Sequence, residues 1–229
     1  MELNKSAFYF IVLLLLAIVG FWDTYFSQIF NGHSRYIHFH AVTMLLWMLM
    51  LISQAFLIRY KKNSLHRLFG KLSYFLVPIL TTSLILLAHS QITIYDYGLS
   101  HRRLYLLFLQ LSLLVIFLFA YMMAILYRHS VAYHARYMIC TSLTLIDPAI
   151  ARIPLDIPTL PFRYQFVTFA IVDLILVCFI FLERKQKQGR SVFSAMLGVF
   201  LLFQLLNLSW TDSQAWNSFT LWFAKLEIT

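Results

Sequence analysis

Along this chain the apolar residues come in long blocks with short polar or basic stretches between them, rather than on one face of a helix or alternating along a strand. The blocks fall at 7–22, 36–58, 66–88, 103–127, 131–150, 163–182 and 192–208. At about 1.5 Å per helical residue, a block of this size approaches or spans ~30 Å of hydrocarbon. A lone strand in lipid would leave its backbone unpaired, whereas a helix satisfies its own N–H and C=O groups. The pattern predicts an all-α fold: a polytopic membrane helix bundle with seven transmembrane helices. The connections leave no room for a soluble domain, so 1–229 reads as one integral membrane domain.

Both ends of the chain refine this picture. The first block follows Lys5, as a signal peptide would, but its exit, "GFWDTYFSQIF", has no small-x-small cleavage site, which predicts a retained helix. After the seventh block, Trp216, Phe219, Trp222, Phe223 and Leu226 share one helical face. The segment at about 211–229 is expected to lie as an amphipathic helix in the interface, where tryptophan is favoured.

Composition agrees: 61% of residues are hydrophobic and only 12% charged, about half the charge of a soluble domain, and the mean hydropathy is +0.77. The net charge of +9 raises the question of nucleic acid, and its distribution answers it. Lys5, Arg59, Lys61, Lys62, Arg67, Lys71, Arg128, Arg136, Arg184, Lys185, Lys187 and Arg190 all fall on one side of the predicted bundle. Only Arg35, Arg102, Arg103, Arg152, Arg163 and Lys225 fall on the other. This is the positive-inside bias, which puts the N-terminus inside and the C-terminus outside. The expected partner of the charge is the lipid bilayer, not nucleic acid. Cys140 and Cys178 both fall inside blocks and give no disulfide or Cys-rich metal pattern.

Candidate chemistry starts with the eight histidines. His33, His38, His40, His89 and His101 are expected at the outer end, and His66, His129 and His134 at the inner end. His40, Trp47 and Gln54 recur every seven residues, a stripe that should face other protein; its plainest role is hydrogen bonding between helices. "HRLFGKLS" and "HARYMICT" open the third and fifth blocks, and Gly70, one turn beyond His66, leaves room for a close helix or a flat ligand. Arg67 and Arg136 stand beside these histidines and suit an anion, either a haem propionate or a lipid phosphate. His40 with His101 outside, and His66 with His134 inside, would each place two imidazoles across the bundle. Bis-axial ligation of a haem iron needs that arrangement.

This layout resembles that of the di-haem, ascorbate-reducible b-type cytochromes, which hold haems between the second and fourth and the third and fifth helices. In those proteins the ligands lie further inside the spans. The stretches "QAFLIRYKKNSLHRLFGKLSY" and "YHARYMICTSLTLIDPAIAR" resemble an uncharacterised bacterial family of predicted membrane proteins. Its pattern maps onto His40, Gln54, Arg59, His66, Arg67, Gly70, His134, Met138 and Arg152. That resemblance covers about half the chain and implies a membrane fold with a shared polar constellation, without an activity.

Asp147 and Asp173 are predicted within blocks, where an ionised carboxylate costs several kcal/mol unless paired, protonated or wetted. Arg152 is the nearest cation to Asp147 in sequence. The outer connections 89–103 and 152–163, the latter with three prolines, are candidate lids over a site. Three functions follow. The first is haem b held by His40, His101, His66 and His134, with Arg67 and Arg136 on the propionates, passing electrons to a redox partner or quinone. The second is a zinc, copper or iron enzyme using His33, His38, His40, His89 or His101. The third is a cofactor-free transporter, sensor or assembly factor. A retinal protein is excluded, because the seventh block has no lysine, and so is the His-x-x-x-His pattern of the adipoQ-receptor and ceramidase group, because that block has no histidine.

Overall fold

The structure is a computed structural model that describes residues 6–30, 32–92, 100–153 and 163–229. Among the described residues it is helical throughout apart from turns: α1 (Ser6–Gly20), α2 (Arg35–Arg59), α3 (Asn63–Ser90), α4 (His101–Leu126), α5 (Val131–Leu143), α6 (Ile146–Ile150), α7 (Arg163–Glu183), α8 (Ser191–Ser209) and α9 (Gln214–Ala224). Five of these, α2, α3, α4, α7 and α8, are long and apolar enough to cross a membrane. Large apolar side chains cover their outer faces, among them Phe75, Leu174 and Leu205, each more than 60% exposed. An apolar belt of this extent is a lipid-facing surface.

The two expected spans outside that group differ from the sequence reading in instructive ways. α1 is a shorter apolar helix of 15 residues. The block at 131–150 is not one helix: α5 stops at Leu143 and α6 resumes at Ile146. Pro148 lies in the first turn of α6, where its missing N–H is tolerated, but its ring would clash with the carbonyl of Thr144 in a continuous helix. Thr141, Ser142 and Thr144 turn their hydroxyls back onto carbonyls three residues earlier, which further loosens the end of α5. α3 starts at Asn63, one residue earlier than a side-chain cap there would require, and Lys62 precedes it without capping. Ser34 does cap α2, accepting from the Tyr36 N–H at 3.3 Å.

Neighbours in sequence pack together: α2 on α3, α4 on α5, α7 on α8 and α1 on α2. α1 also reaches α6, and Gly20 is what allows it. A Cβ there would sit 2.1 Å from the Ala149 carbonyl oxygen, so no other residue fits without moving the helices apart. One apolar core runs through the bundle, with Trp47, Met48, Leu176, Phe193 and Met196 at its most buried points.

The terminal segment is helical, as expected, over Gln214–Ala224. α9 docks on the end of the bundle: the Trp216 indole N–H donates to the Leu104 carbonyl at 3.0 Å, and Phe223 joins Ala88 and Leu107 in a second apolar cluster. Phe219 and Trp222 remain on its outer side. The candidate lids cannot be followed, because 93–99 and 154–162 lie outside the described residues.

Candidate functional site: a polar line through the bundle

Of the stripe predicted on α2, Trp47 and Gln54 are buried and His40 is half-buried. Trp47 is 1% exposed, and Thr43 and Gln54 are buried with it. His40 and Thr43 meet Ser83 on α3, a partner that the sequence reading did not single out, while Gln54 meets His66 and Gly70. Near the start of α2, His40 Nδ1 lies 3.1 Å from Ser83 Oγ, and Thr43 Oγ1 lies 2.8 Å from the same oxygen. Ser83 also donates to the Leu80 carbonyl at 2.7 Å. The arrangement that fits has the imidazole proton on His40 Nδ1, donating to Ser83.

One turn deeper, Trp47 stands edge-on to Phe117 and Tyr121, with ring centroids 5.2 and 5.8 Å away. Its indole nitrogen is buried and has no hydrogen-bond partner among the described residues. Below it, Tyr121 and Ser73 pair through their hydroxyls at 2.8 Å, and Ser73 donates to the Gly70 carbonyl at 2.6 Å.

At the far end of α2, Gln54 inserts its side chain into the backbone of α3. The orientation that satisfies both ends of the amide has its oxygen accepting from the Gly70 N–H at 3.0 Å and its nitrogen donating to the His66 carbonyl at 3.1 Å. The same nitrogen donates to His66 Nδ1. Gly70 thus serves through its N–H; open space, not a neighbouring helix, lies where its Cβ would be. The His66 ring meets the His134 ring with centroids 6.4 Å apart and planes at 88°. His134 Nδ1 is 2.8 Å from the Ala124 carbonyl oxygen, which can only accept.

These partners fix the two tautomers. His134 carries its proton on Nδ1, so its Nε2 is a lone pair. His66 accepts at Nδ1, so its Nε2 carries the proton. Two axial ligands of one iron each need an Nε2 lone pair, commonly backed by an Nδ1–H on a carbonyl. His134 fits that requirement and His66 does not. Arg136 is not open to a propionate either. Its Nε pairs with Glu183, which is 2% exposed, and its Nη1 donates to the Ala132 carbonyl at 2.5 Å. Gly189, at φ +75°, passes over this ion pair so closely that a Cβ would sit 2.8 Å from Arg136 Nη1. Arg67 is exposed. As they stand, the two rings of the inner pair present one Nε2 lone pair and one Nε2 proton.

The outer pair is not brought together. His40 is held by Ser83, while His101, on the first turn of α4, lies 2.5 Å from Asp212 in the turn before α9. The five histidines considered as metal ligands are also dispersed. His33 and His38 gather around Tyr25, whose hydroxyl burial pushes up in pKa and keeps as a donor, 3.1 Å from His38 Nδ1. His89 is 2.5 Å from Thr229 Oγ1. Among the described residues no three His, Cys, Asp or Glu side chains are placed to hold one metal ion.

Asp147 lies in α6 and is 2% exposed. Its Oδ2 accepts from Gln165 Nε2 at 2.6 Å and Thr168 Oγ1 at 2.9 Å, and its Oδ1 has no hydrogen-bond partner among the described residues. A cavity of about 20 Å³ adjoins it, the size of one water. Arg152 forms no ion pair with Asp147; it donates to the Pro148 carbonyl at 2.8 Å and stacks over Phe21 at 4.4 Å. Its charge is still close enough to interact with both Asp147 and His40. Asp173 is half-buried and accepts from Gln204 at 3.1 Å. The chain matches no family model, no curated protein and no solved structure.

Proposed function

We propose that the chain is a cofactor-free membrane transporter that moves protons between its two faces. The observation that carries this reading is the polar line on α2, α3 and α4, with a histidine at each end. From His40 to Gln54 it runs 14 residues along α2, about 21 Å, or some two thirds of the hydrocarbon thickness. Hydroxyls both donate and accept, so Ser83, Thr43, Ser73 and Tyr121 can pass a proton on. An indole N–H only donates. Trp47 therefore interrupts the line as a barrier, and passage there needs water or a rotation of the ring. At the far end, His66 offers an N–H and His134 a lone pair, complementary roles for handing over a proton.

The same reading takes α1 and the α5–α6 pair as two further spans, making seven. α1 is short, at about 22 Å, and the pair is near 30 Å. The turns at 60–62, 127–130 and 184–190, rich in Lys and Arg, then face the cytoplasm of a bacterial cell.

Proteoliposomes enclosing a pH-sensitive dye test the proposal. After an acid jump, the protein is expected to dissipate the gradient faster than empty vesicles. His66→Ala and His40→Ala are expected to slow it at least tenfold, and Trp47→Phe, which keeps the ring and removes the N–H, to leave the barrier intact. Flux equal to that of empty vesicles, or unchanged in both histidine variants, would overturn the reading. A Soret band in the purified protein that shifts on reduction would instead favour electron transfer.

A further inference from the structure

At the His40 end of the bundle, a cavity of about 350 Å³ opens between the last turn of α3 and the first turns of α4. That volume is within the range of small-molecule sites. Arg102, Arg103 and Arg152 line it together with Gln91 and Gln110, whose amides bond to each other at 3.0 Å. Among the described residues no carboxylate pairs with Arg102 or Arg103; the nearby Asp212 is engaged by His101.

This accumulation of positive charge is unfavourable by itself. Arg102 and Arg103 stand in the first turn of α4, where the helix dipole already presents its positive end, and that turn has no acidic residue. Ser100 precedes the helix without a side-chain cap, and its carbonyl accepts from the Arg103 N–H at 2.8 Å. An anion placed here would relieve the repulsion of the guanidinium groups and complement the positive end of the helix dipole. The rest of the wall is apolar. Leu107 is buried, and Leu106 is 40% exposed on the outer face of α4, so the cavity continues onto the surface that faces lipid.

We infer that this cavity is a binding site for an anionic amphiphile: a phosphate or carboxylate head held by Arg102, Arg103 and Arg152, with its chain along Leu106. The site is independent of the proton line, and its test does not involve flux. The protein is purified in neutral detergent, incubated with dioleoylphosphatidylglycerol or dioleoylphosphatidylcholine, and bound lipid is counted by native mass spectrometry. Phosphatidylglycerol is expected to be retained at least tenfold more than phosphatidylcholine. The double variant Arg102→Gln/Arg103→Gln should bring it to the phosphatidylcholine level with an unchanged thermal midpoint. Lys185→Gln/Lys187→Gln, at the opposite end, should leave it untouched. Equal retention of the two lipids, full retention by the arginine variant, or an equal loss in the lysine variant would overturn the site. Displacement of phosphatidylglycerol by inorganic phosphate at the same concentration would overturn the amphiphile and leave a site for small anions.

Discussion

The two ends of this bundle use the same residue types in opposite ways. At the His66 end the buried charge is settled internally: Arg136 is locked to Glu183 under Gly189, two histidines meet edge to face, and the remaining cations of that end are exposed among the described residues. At the His40 end, the two histidines have different partners, one Ser83 and one Asp212, and Arg102 and Arg103 line a cavity with no carboxylate paired to them among the described residues. An end whose polar groups satisfy one another is built to hold geometry. The other end instead gathers three arginines along one cavity, which is the basis for the anion site we infer there.

That contrast can be broken most forcefully at the ion pair. Arg136→Met leaves Glu183 buried without its cation, and the expected loss is about 3–5 kcal/mol, read as a lower thermal midpoint in detergent. No substitution of Arg102 should approach that loss; comparable effects at the two ends would erase the distinction. The next largest effect is expected from Gly20→Val, which drives α1 off α6 at a cost of roughly 1–3 kcal/mol. Cysteines placed on facing positions of α1 and α6 should then cross-link more slowly, and an unchanged rate would show that the close approach is not needed.

Gln54→Leu sharpens the comparison from the other direction. It removes the amide from His66 and Gly70, an expected loss of about 1–3 kcal/mol, and allows the His66 proton to move to Nδ1. Nitrogen NMR of labelled imidazoles should show the tautomer of His66 changing while that of His134 holds. If His66 already carries its proton on Nδ1 in the native protein, the complementary pair described here is wrong. The smallest effect is expected at α9, where Trp216→Phe gives up one hydrogen bond to Leu104 but keeps the ring against Phe108, for a loss of about 1 kcal/mol.

How much of this was legible in the sequence follows from the physics of each feature. The membrane class and the stripe of His40, Trp47 and Gln54 could be read because block length and heptad spacing act within one helix. The pairing of His66 with His134 was anticipated from alternating helix direction, and the structure brings the two rings together. The partners were not. Ser73 and Ser83 look like ordinary small residues of α3, and only the approach of Tyr121 on α4 and of His40 and Thr43 on α2 shows what their hydroxyls meet. Glu183 hides in the basic run "ERKQKQGR", where an acid reads as solvated. That His40 and His101 take different partners could not be inferred, because it depends on which helix faces which, and on Asp212 from a turn more than a hundred residues away.

Because Gln54 is threaded between the Gly70 N–H and the His66 carbonyl, α2 is stitched to its neighbour's main chain and not merely laid against it. One cannot slide along the other without unpicking that stitch, so the two must travel as a single rigid plank. On the proposed proton-transport reading, any rocking that lets a proton past Trp47 has its seam elsewhere, along the boundary with α4 and α5, where at this end two imidazole rings touch edge to face with no hydrogen bond between them among the described residues.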